Sequence, residues 1–167
     1  YLELLHKKGW FSAIKDIDSS TRDLIDRIPN PKANPLDVYG MVVGRVQSGK
    51  TANFTALTAR AVDSGYNLVI VMSGTLNNLR DQTQKRLLRE LTGHYEHPRG
   101  YHVDTPEDED REFELLTEIG DTDFDGADLN FLEGNRPMLA VVKKNSLVLE
   151  KLYNWLKLSS KIQRKNL

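Results

Sequence analysis

Four residues at fixed spacing carry the clearest chemistry in this sequence: Gly44, Gly49, Lys50 and Thr51, within the run GRVQSGKT. The run fits the pattern G-x-x-x-x-G-K-[ST] at every required position. A loop of this type turns backbone N–H groups, here those of Val46, Gln47, Ser48, Gly49, Lys50 and Thr51, inward around a β-phosphate. Gly49 admits the ligand without a Cβ clash, Lys50 brings a point charge to the β- and γ-phosphate oxygens, and the Thr51 hydroxyl is placed to ligate Mg²⁺. An ordinary glycine turn would explain the glycines but not the Lys-Thr pair behind them.

Such a loop works only between a strand and a helix. The apolar run 38–43 before it predicts a buried strand, and the residues from Lys50 onward predict a helix with Phe54, Leu57, Ala61 and Val62 as its apolar stripe. Gly65 is placed to end that helix. The run 67–73, LVIVMS preceded by Asn67, predicts a parallel strand buried on both faces, which would complete a βαβ unit. A second helix is expected over 76–91, a third strand over 138–142, and a helix over 146–158 with Leu147, Val148, Leu152, Trp155 and Leu156 inward.

Upstream, residues 1–28 predict two short helices. The second would be capped at Ser19 or Ser20 with Asp23 as a capping-box partner, and would stop at Pro29. Trp10 and Phe11 are expected in the core. Twelve of the chain's 24 acidic residues fall in 104–128 against a single Arg111, which predicts an exposed insertion, with 107–119 a possible solvated helix. Carboxylates without fixed geometry do not make a metal site. His94, His97 and His102 read as loop residues.

The 167 residues suffice for one α/β domain, divided here into a helical segment 1–35 and a partial nucleotide-binding domain 36–167. A formal net charge of −1 excludes a global basic field, so any DNA contact must be local. The absence of cysteine excludes a disulfide framework and fits a cytoplasmic location. No stretch approaches the roughly 20 apolar residues of a membrane span.

Ligands of open parallel sheets bind at the carboxyl ends of the strands. Beside the phosphate loop, two further ends are polar. One carries Ser73, Thr75, Asn77, Asn78 and Arg80, and the other carries Lys143, Lys144 and Asn145. Thr75, Asn77, Asn78, Arg80, Lys143 and Lys144 are the candidates for a nucleic-acid backbone or for interdomain coupling, against the plainer reading of a helix cap with solvent-facing amides.

The segments GMVVGRVQSGKTANF, DSGYNLVIVMSGTLNNLRDQTQKRL and LAVVKKNSLVLEKLYNWL, with GW…IKDID…IPNP upstream, resemble the Z-one domain. This is a helicase-like P-loop domain of bacterial proteins linked to restriction–modification systems. The resemblance spans nearly the whole chain apart from the acidic segment. It implies a RecA-like P-loop NTPase fold, a parallel sheet with flanking helices. It also implies ATP and Mg²⁺ as cofactors, and ATP hydrolysis coupled to DNA in the restriction of foreign DNA. Cutting would fall to a partner nuclease or modification subunit. Gln47, Ser48, Gly49, Lys50 and Thr51 match its nucleotide motif, with Lys50 and Thr51 in the catalytic roles. Asn78, Arg80 and Gln82 are family-typical positions without an assigned role.

Such ATPases hold Mg²⁺ and orient water with an acidic strand end. In the family it follows the KKN helix, and no apolar strand ending in Asp-Glu appears before Leu167. The expectation is therefore an N-terminal part with an incomplete first lobe, able to bind a triphosphate but poor at hydrolysing it alone. The rival readings are a non-catalytic nucleotide switch and a small-molecule kinase. The kinase would need an Arg-rich lid, which the sequence lacks. No strand-borne P-D…(D/E)-x-K pattern supports a nuclease.

Overall fold

A computed structural model describes residues 1–31, 38–43, 49–92, 113–120, 122–126 and 136–163. The chain divides into two compact units, 1–66 and 67–167. The helix that follows the GRVQSGKT run belongs to the first of these units.

The first unit is helical: α1 (Leu2–Lys7), α2 (Phe11–Ile25) and α3 (Lys50–Asp63). The helix break expected near Ser19 lies instead at Gly9, whose φ of +76° a side-chain-bearing residue rarely adopts. The N–H of Gly9 bonds the His6 carbonyl and that of Trp10 bonds the Leu5 carbonyl, so α1 ends in a Schellman motif. Ser20 is mid-helix, and its hydroxyl accepts a 2.8 Å bond from the Asn53 amide of α3. Thr21, fully enclosed, donates to the Ile17 carbonyl at 2.6 Å and accepts from Arg60 Nε at 2.9 Å. Arg60 also pairs with Asp18.

The core of this unit is Leu5, Ile17, Ala52 and Ala56. The buried face of α3 is thus Ala52, Thr55, Ala56 and Thr58, not the predicted Phe54–Leu57 stripe, whose members are half-buried. Small residues let the two helix backbones approach, and both threonines are satisfied by bonding the carbonyls four residues back at 2.9 Å. Trp10 and Phe11 are 42 % and 62 % exposed, so neither belongs to the core. Gly65 ends α3 as expected, with the Tyr66 N–H on the Ala61 carbonyl.

The predicted strand 38–43 is absent. These residues form no ladder and are exposed, Tyr39 at 92 %. A strand needs a partner edge for its N–H and C=O groups. The described residues of the helical unit offer none, so the expected βαβ unit does not form there.

The second unit is a mixed α/β layer structure. Its three-stranded parallel sheet runs β1–β3–β2, with β1 Leu68–Ser73, β2 Glu114–Leu115 and β3 Met138–Lys143. It is flanked by α4 (Asn77–Thr92) and α5 (Ser146–Gln163). Leu68 pairs with Met138 and Ser73 with Lys143. The central strand β3 is the core, with Leu139, Ala140, Val141 and Val142 at 0 % exposure. Each of the buried leucine and valine side chains contributes about 1.5–3 kcal/mol. On one face Val148, Leu152 and Trp155 of α5 complete the cluster, while Leu147 is exposed. The edge strand β1 is only half-buried, Met72 pointing outward, because β3 covers one side of it alone among the described residues.

Part of the acidic segment belongs to this core, contrary to a solvated insertion. Residues 113–119 hold β2 rather than a helix, and Phe124 packs edge-on against Trp155 at 5.9 Å. The outer backbone groups along β3 are answered in turn. Leu139 and Pro137 present carbonyls to the N–H groups of Leu116 and Glu114, the Thr117 hydroxyl accepts from Val141 N–H at 3.0 Å, and the Asp123 carboxylate accepts from Lys143 N–H at 3.2 Å. Two side chains thereby continue a strand that is only two residues long. Residues 104–112, 121, 127–128 and the three loop histidines lie outside the described residues.

Asp81 of α4 ties the same segment down, accepting from Gly120 N–H at 2.8 Å and pairing with Lys85 at 2.9 Å. Burial alone would raise its carboxyl pKa. The Lys85 and Gly120 hydrogen bonds and the charges of Lys85 and Arg80 outweigh that and hold it below the usual value. A folded-state pKa below the unfolded one stabilises above the unfolded value, about 3.9, and the gain is lost as pH falls through the folded value. Asp81→Asn is therefore expected to be less stable than wild type at pH 7, with the two converging below about pH 4. Urea midpoints from pH 7 to 2.5 check this, and a constant gap would remove Asp81 from the account.

Candidate phosphate-binding helix start and strand-end cluster

Gly49 precedes α3 in the left-handed conformation, φ 77° and ψ 17°, and Lys50 opens the helix. A left-handed residue followed by a helical one turns successive N–H groups toward one side, a concavity that suits anions. A Cβ on Gly49 would meet nothing within 4 Å. The backbone conformation, rather than crowding among the described atoms, is what calls for glycine. The first turn of α3 holds no acidic residue to compete with an anion. Lys50 is exposed and Thr51 half-buried. Gly44, Val46, Gln47 and Ser48 lie outside the described residues.

Beside Gly49 and Lys50 a cleft of about 300 Å³ opens in the same unit. One wall is a single face of α2, from Trp10 through Asp16 and Ile17 to Ser20, and the other is Asn53 with Val42 and Val43. Sequence reasoning missed this feature because it assigned Trp10 to the core. The available signal was the spacing 10, 13, 16–17, 20, one helical face mixing an aromatic, a carboxylate and a hydroxyl.

In the second unit, the carboxyl ends of β1 and β3 meet as their parallel register requires. Lys143 Nζ donates to Asn77 Oδ1 at 2.6 Å, Ser73 Oγ to the Val142 carbonyl at 3.3 Å, and Lys144 N–H to the Gly74 carbonyl at 3.2 Å. Thr75, Asn78, Gln82 and Lys144 are exposed. Asn78 Oδ1 accepts from Leu79 N–H at 2.8 Å, a local bond of the helix start. The cluster is polar and carries two ammonium groups at the sheet edge, a local basic feature in a chain of net charge −1.

Arg80 differs from its expected role. It is 0 % exposed, so it cannot touch a nucleic-acid backbone in this conformation. Its guanidinium donates to Gln84 Oε1 at 2.6 Å, to the Glu118 carbonyl at 3.0 Å and to the Gly120 carbonyl. Gln84 in turn donates to the Thr117 carbonyl. The sequence places Arg80 one turn into a helix behind a polar strand end, which resembles a surface position. Folding of 117–120 over α4 encloses it.

No group of His, Asp or Glu residues suited to hold a metal ion occurs among the described residues. None of the helices searched among them is long and apolar enough to cross a membrane. No family model, curated protein or solved structure matches the chain.

Proposed function

We propose that the chain is the nucleotide-binding part of a DNA-dependent ATPase with a RecA-like P-loop NTPase fold, serving a restriction–modification or DNA-defence system in the cytoplasm. The observation that carries this reading is the start of α3, where left-handed Gly49 is followed directly by Lys50 and Thr51. The N–H groups there, the helix dipole and one ammonium suit a polyphosphate. Lys50 would neutralise the β- and γ-phosphate oxygens and the Thr51 hydroxyl would hold Mg²⁺. Mg²⁺ held there would supply further charge neutralisation to the phosphate oxygens.

The resemblance of the three quoted segments supports DNA as the coupled partner, with a nuclease or modification subunit beside it. The exposed Thr75, Asn78 and Lys144, with the Lys143–Asn77 pair, are the groups offered to a DNA backbone. Arg80 is dropped from that set. The test is ATP hydrolysis by the protein that contains this chain, with and without duplex and single-stranded DNA. Stimulation that weakens with added salt is expected, because backbone contacts release counterions. ATP binding with no hydrolysis under any DNA would replace this reading with a nucleotide switch.

A further inference from the structure

We infer that the cleft between α2 and the start of α3 takes the nucleoside of a ribonucleoside triphosphate, with its base stacked on Trp10 and its ribose hydroxyls on Asp16. This rests on the reading of Gly49–Thr51 as a phosphate site. The cleft, about 300 Å³, sits at the low end of small-molecule sites, about 300–1,000 Å³. It has the make-up of such sites, apolar walls with a few convergent polar groups. Ala13, Ile17, Val42 and Val43 supply the apolar part.

Its lining is chemically mixed. Lys50 and Gly49 line it with the only described ammonium and left-handed glycine of its lining, while Asp16 contributes a carboxylate and Trp10 an indole. Trp10, the N-cap of α2, and Ser20 stand ten residues apart, about 15 Å of helical rise. Groups of different chemistry are therefore spread along its α2 wall. A carboxylate repels phosphate and accepts hydrogen bonds from a diol, so the anionic part of a ligand belongs at Lys50 and the sugar beside Asp16. An indole 42 % exposed on the rim offers a face to a planar base. Ser20 and Asn53, already bonded to each other at 2.8 Å, join the two helix walls and hold the cleft's shape.

The experiment compares Mg²⁺·ATP with Mg²⁺·tripolyphosphate by calorimetry on wild type, Trp10→Ala, Trp10→Phe and Asp16→Asn. The chain has two tryptophans, and Trp155 is buried in the other unit, so indole quenching reports Trp10. ATP is expected to quench and tripolyphosphate not. Trp10→Ala should weaken ATP about tenfold while leaving tripolyphosphate unchanged, the scale of one lost base stack. Trp10→Phe, which keeps an aromatic face, should restore most of the affinity. Asp16→Asn should weaken ATP but not 2′,3′-dideoxy-ATP. Equal ATP affinity in wild type and Trp10→Ala would overturn the nucleoside site and leave the phosphate site standing. If neither ATP nor tripolyphosphate binds, the phosphate reading itself falls, and this inference with it.

Discussion

Replacing Lys50 with alanine is expected to weaken Mg²⁺·ATP binding by about 10- to 100-fold, the worth of one charged hydrogen-bonding partner, about 1.5–3 kcal/mol. In the intact protein, ATP hydrolysis should be abolished. The cause is local. Lys50 follows left-handed Gly49 and is the cation that α3 presents at its own N-terminus. The fold should survive, because Lys50 is exposed and alanine is the better helix former. Unfolding midpoints within about 0.5 kcal/mol of wild type are expected, as for other surface substitutions. Lys157→Ala, on an exposed position of α5, serves as the charge-matched control and should leave binding unchanged. Wild-type turnover in Lys50→Ala would sink the nucleotide assignment, whatever the merits of the motif.

Arg80→Ala should destabilise the second unit by about 2–3 kcal/mol, the cost of removing a charged donor from partly buried acceptors. The guanidinium is fully enclosed and answers Gln84 Oε1 and the carbonyls of Glu118 and Gly120. Truncation leaves the Glu118 and Gly120 carbonyls without this donor and Gln84 Oε1 with only the Thr117 hydroxyl at 3.3 Å, and an unanswered polar group costs more than its bond is worth when made. Arg80→Lys should recover little, since an ammonium cannot span three acceptors as the planar fork does. Among the described residues Nε of Arg80 has no hydrogen-bond partner. Arg89→Ala, exposed on the same helix, is the control and should cost under about 0.5 kcal/mol. A chemical denaturation series measures this. A small stability change combined with lost DNA stimulation would return Arg80 to the surface role its sequence position suggests.

The two predictions divide along the line between local and non-local information. The helix start at Gly49 is legible because it depends on neighbours in sequence: a glycine able to go left-handed, with a lysine and a threonine in the first turn that follows. Gly65 as a helix stop and the spans of α4, β1, β3 and α5 were legible for the same reason, since turn chemistry and hydrophobic period are local properties. The juxtaposition of Asn77 with Lys143 followed from parallel pairing of two apolar runs with polar carboxyl ends.

What the sequence misplaced depends on partners far along the chain. An apolar run such as 38–43 carries strand propensity, but a strand exists only against another edge. Trp10 carries the hydrophobicity of a core residue and lies on the rim of a cleft, because small side chains at Ala52 and Ala56 already close the α2–α3 contact. The acidic segment has the composition of a solvated loop, yet Phe124 anchors it and Asp123 and Thr117 act as strand edge for β3. Arg80 has the pattern of a surface contact and is enclosed by residues about 40 positions away. The sequence by itself determined which groups are available, a G-x-x-x-x-G-K-T run, two helical faces and an apolar central strand. Tertiary structure alone decided which side chains are covered, because burial is settled by whatever packs against a residue and not by its own type.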